Sequence, residues 1–157
     1  AKLVFVHRHP VHVLTSYRRR YHDSRRAEVP EHSLNWLRIS KERFSKRYRH
    51  YMTLALDFAT LAPDRLHLLP YEQLVEHPEE TLSGLLHFLQ EPFQSKMLDL
   101  ASARTREYAK DPKLFRGIDA SQPGWQEHLT RGEAEFLESS LTDILARVGY
   151  ERLASSY

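Results

Sequence analysis

The first twenty residues limit the fold most, because they join a short apolar segment directly to a helix. Residues 3–7 (LVFVH) are apolar and strand-favouring, which predicts a buried strand. Pro10 stands where a first helical residue is expected, and an apolar helical pattern begins at Val11. Arg8 therefore falls at the carboxyl end of a strand, where open α/β sheets bind ligands, and Ser16 falls about two turns into the helix.

Arg8 and Ser16 are candidate anion ligands. A guanidinium offers planar, paired donors that suit a phosphate, and a hydroxyl adds a further donor. The residue types and their positions leave a second interpretation open. In that interpretation Arg8 pairs with a carboxylate and Ser16 is an ordinary surface residue.

The composition is that of one ordinary globular domain. The chain has 157 residues, enough to bury a core, and no apolar run approaches the roughly 18 residues that a membrane helix needs. No stretch has the pattern of a signal peptide. Cysteine is absent, which excludes disulfides and thiolate metal sites and favours a reducing compartment, so a cytoplasmic location is expected.

The net charge of +2 is the sum of two oppositely charged sections and a basic start. Residues 16–50 contain eleven Lys or Arg against four Asp or Glu, a local charge of +7. Residues 51–157 contain ten against seventeen, a local charge of −7. A basic section can attract a polyanion, but these charges fall on several sides of the predicted helices and no nucleic-acid-binding motif is present. We therefore expect no nucleic-acid partner.

Apolar periodicity, punctuated by proline, predicts the helices of the first half. One helix is expected at residues 10–22 and a polar loop at 23–29. A single long helix is expected from Pro30 to about Pro63. Another helix is expected to start at Pro78.

The second half is predicted to end in a well-signalled helix. A helix is expected over residues 94–109 and a loop over 110–125. Thr130 and Glu133 have the spacing of a capping box at the start of the last helix. Gly149 stands where the C-cap of that helix is expected.

A second apolar segment, residues 66–69 (LHLL), predicts another short strand that ends at Pro70. Neither strand candidate alternates between apolar and polar residues, so both are expected to be parallel strands buried on two faces. Two parallel strands do not form an independent sheet. We therefore expect further strands before Ala1, and a chain that is part of a larger α/β domain.

The residues around Arg8 also form a recognisable motif. Arg8, Pro10, Val13 and Ser16 fit the pattern R-x-P-x-x-V-x-x-S, and Tyr17 follows. The pattern resembles the 3′-phosphate-binding motif of the sulfotransferases, which use 3′-phosphoadenosine-5′-phosphosulfate (PAPS). The resemblance implies an α/β fold with a P-loop-type parallel sheet and flanking helices.

Three later segments resemble the same family in the same order. Residues 68–89 (LLPYEQLVEHPEETLSGLLHFL) resemble the family segment in which a strand ends in Tyr-Glu-x-Leu before a helix. Residues 115–117 (Phe-Arg-Gly), followed by Gly124-Trp125, resemble the loop that closes over the 3′-phosphate. Gly149-Tyr150 resembles the end of the terminal helix.

The chain departs from the family pattern in several places. His9 and His12 stand where the family usually has an acid or amide and an acid, and the closing loop has the single basic residue Arg116. His9 is expected to cap the helix more weakly. The family's Gly-, Ser- and Thr-rich loop with a lysine, which holds the 5′-phosphosulfate, has no counterpart, and neither has the catalytic base. Residues 1–157 are therefore expected to be a single C-terminal portion of a sulfotransferase domain, with no catalytic residue of its own.

The resemblance implies transfer of a sulfuryl group from PAPS to a hydroxyl or amine. Arg8 and Ser16 would bind the 3′-phosphate, and Arg116 with the backbone N–H of Gly117 would close over it. Tyr71 would lie near the adenine, although a packed tyrosine at a strand end is an equal alternative. The implied partners are the nucleotide, the missing N-terminal part of the domain, and a small-molecule, glycan or protein acceptor.

No metal is expected. His7, His9 and His12 are close in sequence, but they span a strand end and a helix start and do not share one face. Residues 23–60 would line the acceptor pocket in relatives, and their basic excess suits an anionic or sugar acceptor. Aromatic residues there and nearby are candidates for acceptor contacts or for core packing; these are Tyr21, Trp36, Tyr48 and Tyr51.

Two other functions remain open. The chain could be a non-catalytic sulfotransferase-like interaction module, because the 5′-phosphosulfate loop is missing. It could also be a nucleotide kinase-like P-loop protein, which shares this type of sheet. A preference for ATP over a 3′-phosphorylated nucleotide would favour the kinase-like alternative.

Overall fold

A computed structural model describes residues 1–98 and 124–154. In the described residues the fold is mostly helical, with one parallel pair of strands. The elements, in chain order, are β1 (Leu3–His7), α1 (Pro10–Arg26), a 3₁₀ helix (Glu31–Leu37), α2 (Lys41–Leu61), β2 (Leu66–Pro70), α3 (Tyr71–Glu76), α4 (Pro78–Leu89), two further 3₁₀ helices (Ser95–Leu98 and Trp125–Glu127), α5 (Arg131–Ser140) and α6 (Thr142–Val148). None of the described helices is long and apolar enough to cross a membrane.

The described residues form two compact units. The first contains Ala1–His7 and residues 58–98, and the second contains Arg8–Asp57 and residues 124–154. We call them the sheet unit and the helical unit. The rest of the predicted helix at 94–109 and nearly all of the predicted loop at 110–125 lie outside the described residues.

The sheet unit contains both predicted strands. β1 and β2 pair in parallel, from Leu3 opposite Leu66 to His7 opposite Pro70, so the two strands end at the same level. The prediction of two parallel strands is confirmed. α4 begins at Pro78 as predicted, because proline at the first helical position has no N–H to leave unpaired.

The prediction that both strands are buried on two faces is wrong for β1 in the described residues. Leu3, Val4 and Val6 are 51%, 40% and 54% exposed, whereas Leu66 and Leu69 of β2 are buried. The apolar composition of β1 predicts the strand correctly, but composition does not specify which residues cover it. Within the described parts of the chain, β1 pairs with β2 alone.

The helical unit contains a cluster of buried apolar residues. It is formed by α1, the residues that precede α2, the start of α2, and the C-terminal segments, and its buried members are Val11, Leu14, Ile39, Phe44, Trp125, Leu129, Ala134, Leu137 and Ala154. At about 25 cal/mol per Å² of apolar surface removed from water, this core is the main source of stability of the unit. It fixes the face of α1 that contains Val11 and Leu14.

The helix boundaries differ from the predictions in two places near the start of the unit. α1 continues to Arg26, so the polar residues expected to form a loop extend the helix by about one turn. The predicted single helix from Pro30 is instead a 3₁₀ helix and α2, separated at residues 38–40. The 3₁₀ period of three buries both Leu34 and Leu37, and the Ser40 hydroxyl accepts the N–H of Arg43 at 3.3 Å to start α2.

The last predicted helix is divided in two. Its capping box is confirmed, since the Thr130 hydroxyl accepts the N–H of Glu133 at 3.2 Å and the Glu133 carboxylate accepts the N–H of Thr130 at 3.0 Å. Gly149 ends α6 with a φ of +73°, the left-handed conformation that favours glycine. The break follows α5, where the Thr142 hydroxyl donates to the carbonyl of Glu138, a local bond that competes with a continuous helix.

Candidate functional site

Arg8 lies at the junction of the two elements that the sequence predicts around it. It is the residue between the end of β1 and the N-cap of α1, and its side chain is half-buried. The Tyr48 hydroxyl donates a hydrogen bond of 2.7 Å to the Arg8 carbonyl. The backbone at Arg8 is therefore fixed from α2, forty residues further along the chain.

Ser16 lies at the edge of the buried face of α1. Val11, Leu14 and Thr15 are buried in the helical unit, and the Thr15 hydroxyl donates to the carbonyl of Val11 at 2.8 Å. Ser16 itself is half-buried, and no acidic residue occupies the first turn of the helix. The start of α1 therefore keeps the positive end of its dipole without a neutralising carboxylate from its own first turn.

His9 caps α1 and also binds the end of the described chain. Its ring is 3% exposed, Nδ1 accepts the N–H of Val11 at 3.3 Å, and Nε2 lies 3.1 Å from the carbonyl oxygen of Glu151. A carbonyl oxygen only accepts, so the proton of the neutral ring is on Nε2 and the lone pair is on Nδ1. The ring of Tyr150 packs edge-on against His9, with ring centroids 5.4 Å apart. The weak cap expected from the sequence is therefore present, and it is reinforced from the C-terminal segment.

The other histidines of the motif have different surroundings. The ring of His12 is half-buried and packs edge-on against His9, with centroids 5.8 Å apart. His7 ends β1 in the sheet unit, where burial lowers its pKa and the charge of Glu72 opposes that shift. Among the described residues, no three histidine or acidic side chains are grouped so that they could hold a metal ion.

Tyr71 lies where the sequence places it, as the residue that follows β2. It is the first residue of α3 and is half-buried. Arg116 and Gly117 lie outside the described residues. Of the five predicted ligands, the structure thus describes Arg8 and Ser16 in the helical unit and Tyr71 in the sheet unit.

The aromatic residues proposed for the acceptor side divide into exposed and packed groups. Trp36 is 51% exposed, with the guanidinium of Arg20 5.4 Å from its ring centroid, and Tyr51 is 52% exposed. Tyr21 is half-buried, and the Arg38 guanidinium lies 6.0 Å from its centroid. Tyr48 is half-buried and packs against the core.

Sequence reasoning missed two structural roles in this unit. The hydrogen bond from Tyr48 to Arg8 joins residues with no local pattern in common. Glu138 is 2% exposed, and its carboxylate accepts the N–H groups of Leu153 and Ala154 at 2.6 and 3.1 Å. A signal for Glu138 existed, because it lies four residues after buried Ala134 and directly after buried Leu137, on the apolar side of α5.

A solved structure of a "Sulfotransferase Domain from the Curacin Biosynthetic Pathway" has the same fold as this chain. The match has a TM-score of 0.62 at 22% sequence identity and covers 96% of this chain. It covers 54% of the solved chain, so this chain spans about half the length of that domain. The fold is therefore the α/β fold of a sulfotransferase domain.

The family model for the sulfotransferase family matches residues 1–95, which is more than half of the chain. The chain therefore belongs to the sulfotransferase family. The matched range includes the segments around Arg8 and Tyr71, so the family to which the sequence resemblance points is confirmed. No curated protein matches the chain.

Proposed function

We propose that this chain supplies the 3′-phosphate- and adenosine-binding half of a PAPS-dependent sulfotransferase. The observation that carries the proposal is the position of Arg8, directly between a parallel strand and the N-terminus of α1. Parallel α/β sheets bind ligands at the carboxyl ends of their strands, and a helix N-terminus favours an anion. Membership of the sulfotransferase family supports the choice of a sulfated nucleotide as that ligand.

The residues of the helical unit fit a phosphate chemically. Arg8 would supply paired N–H donors and Ser16 a hydroxyl, while α1 would supply the positive end of its dipole. The 3′-phosphate distinguishes PAPS from ATP. Arg8 and Ser16 would therefore select the donor, and they would bind the same phosphate in the product, adenosine 3′,5′-bisphosphate.

The other proposed ligands lie further along the chain than Arg8 and Ser16. Tyr71, the first residue after β2, would contact the adenine. Arg116 and the backbone N–H of Gly117 would close over the 3′-phosphate. We further propose that residues 1–157 are the C-terminal portion of a P-loop-type sulfotransferase domain, comprising the phosphate-binding strand and helix, the acceptor-side helices, the closing loop and the terminal helix. The order of the motifs supports this assignment.

PAPS would supply an activated sulfuryl group to the reaction. A hydroxyl or amine of the acceptor forms a bond to sulfur as the bond from sulfur to the phosphate oxygen breaks. The acceptor proton passes to a base, and adenosine 3′,5′-bisphosphate leaves. The contribution of this chain is to bind and orient the nucleotide, so that the sulfur presents its free face to the acceptor.

Thermal unfolding with adenosine 3′,5′-bisphosphate, 5′-AMP and ATP tests the proposal. Ligand at a hundredfold excess over its Kd stabilises the folded state by about 2.7 kcal/mol, which raises Tm by about 5–11 °C for a chain of this size. We expect the full shift with the bisphosphate alone, and its loss in Arg8→Ala and Ser16→Ala variants that keep their helical circular dichroism. The longest natural form of the protein should be measured beside the chain.

Each other outcome favours a different function. A shift with ATP that equals or exceeds the shift with the bisphosphate favours the kinase-like alternative. No shift with any nucleotide, in either form of the protein, favours the non-catalytic interaction module and contradicts the donor site.

A further inference from the structure

The carbonyl of Arg8 lies outside both regular hydrogen-bond systems that flank it. The β1–β2 ladder ends at the pair His7 and Pro70. The hydrogen bonds of α1 begin one residue after Arg8, at the carbonyl of His9, which accepts the N–H of Val13 at 3.1 Å. A backbone carbonyl in a packed region needs a donor from elsewhere, and Tyr48 supplies it at 2.7 Å.

The Tyr48 hydroxyl is held in place by its own packing. Its ring lies on α2 four residues after Phe44, with centroids 5.9 Å apart, and Phe44 is 4% exposed in the core. Phe44 also packs edge-on against Tyr17 of α1, at 6.0 Å between centroids. The hydroxyl therefore reaches Arg8 from a rigid aromatic contact between α2 and α1, and not from a loop.

The peptide between Arg8 and His9 is fixed on both sides. Tyr48 holds the carbonyl of Arg8, and His9 is fixed as the cap of α1 and by its contact with Glu151. Fixing this peptide restricts the backbone angles that aim the Arg8 side chain. A guanidinium whose backbone is already ordered loses less conformational entropy when it binds a phosphate.

We propose that Tyr48 is a positioning residue for the donor phosphate, acting through the backbone of Arg8. The inference rests on the proposed function, because it assumes that Arg8 binds the 3′-phosphate. Tyr48 touches no nucleotide in this proposal. Its hydroxyl sets the direction of the arginine, and its loss would weaken binding of the 3′-phosphate without removing any ligand of that phosphate.

The test is a double-mutant cycle on nucleotide affinity. Tyr48→Phe keeps the aromatic packing and removes one hydroxyl, so the fold should persist. We expect the Kd for adenosine 3′,5′-bisphosphate to rise roughly tenfold, in line with the loss of a hydrogen bond to a partly buried carbonyl. The Kd for 5′-AMP, which lacks the 3′-phosphate, should stay within about twofold. In an Arg8→Ala background, Tyr48→Phe should have almost no further effect.

Ser45→Ala is the matched control. Ser45 lies on the same helix, three residues before Tyr48, and its hydroxyl forms a hydrogen bond of 2.7 Å with the hydroxyl of Ser140. This variant should bind both nucleotides as the unmodified chain does. Calorimetric titration of the four Tyr48 and Arg8 combinations and the control, each with both nucleotides, gives all the values needed.

The outcomes separate the inference from the proposed function. If Arg8→Ala loses bisphosphate binding and Tyr48→Phe does not, the positioning role is wrong and the donor site stands. If Tyr48→Phe weakens both nucleotides equally, or adds fully to Arg8→Ala, its role is general stability and the inference is also wrong. If Arg8→Ala binds the bisphosphate normally, the proposed function itself fails, and the inference fails with it.

Discussion

Replacement of Glu138 by alanine should destabilise the helical unit strongly. The Glu138 carboxylate is 2% exposed and accepts two backbone N–H groups, from Leu153 at 2.6 Å and from Ala154 at 3.1 Å. A hydrogen bond to a charged group contributes about 1.5–3 kcal/mol. We take the lower value for each bond, because the C-terminal segment can move away and hydrate its freed N–H groups. The expected loss is then about 3 kcal/mol.

Chemical denaturation and thermal unfolding measure this loss directly. A decrease of about 3 kcal/mol corresponds to a fall in Tm of about 6–12 °C for a chain of this length. Amide hydrogen exchange at Leu153 and Ala154 should accelerate before the rest of the unit unfolds, since these are the groups that lose their acceptor.

Glu135→Ala on the same helix is the matched control. Its carboxylate pairs with Arg131 at 2.8 Å, but both side chains are more than half exposed, and such a pair contributes little to stability. We expect the control to change the unfolding free energy by less than about 1 kcal/mol. Equal losses in the two variants would refute the reasoning, because they would mean that the buried carboxylate contributes no more than a solvated one.

Two histidines give the remaining predictions. Burial lowers the pKa of His7, so between its folded pKa and about 6.5 the unfolded state binds more protons than the folded state. The free energy of unfolding should therefore fall as pH is lowered through this window. Urea titrations at pH 7.5 and 5.5 should show a smaller fall in the His7→Gln variant than in the unmodified chain. An equal fall in the two proteins would contradict the assignment of this effect to His7. His9→Ala should cost about 2 kcal/mol, from the lost cap of α1 and the lost bond to Glu151, and His9→Asn about half as much because the amide oxygen can still accept the N–H of Val11. Equal stability of the two His9 variants by urea denaturation would show that the cap contributes nothing.

Local chemical signals account for the parts of the fold that the sequence predicts well. Pro10 and Pro78 mark helix starts, Thr130 with Glu133 forms the capping box, and Gly149 ends the last helix, because each of these effects operates within a few residues. Boundaries that depend on distant packing were not predictable in the same way. The turn at residues 38–40 forms because Leu34, Leu37 and Ile39 are all buried, which requires knowledge of their neighbours in space.

The candidate site also combines features that local signals predict with features that depend on distant packing. Arg8 could be placed from the strand and helix signals on either side of it, and the same signals identify His9 as the cap. The donor to the Arg8 carbonyl lies on another helix, and Tyr48 has the ordinary spacing of a core aromatic residue. Only the folded chain reveals which of the aromatic residues in α2 faces the site. Arg116 and Gly117 remain predictions.

The contact between His9 and Glu151 has a consequence for the order of events during synthesis. The two residues are 142 positions apart in the chain, so the ribosome must add all the intervening residues before the contact can form. At roughly 5–20 residues per second this takes on the order of ten seconds. The strand and helix around Arg8 are therefore made well before the segment that secures the cap of α1. A nascent chain can acquire the contact between His9 and Glu151 only after Glu151 has left the exit tunnel.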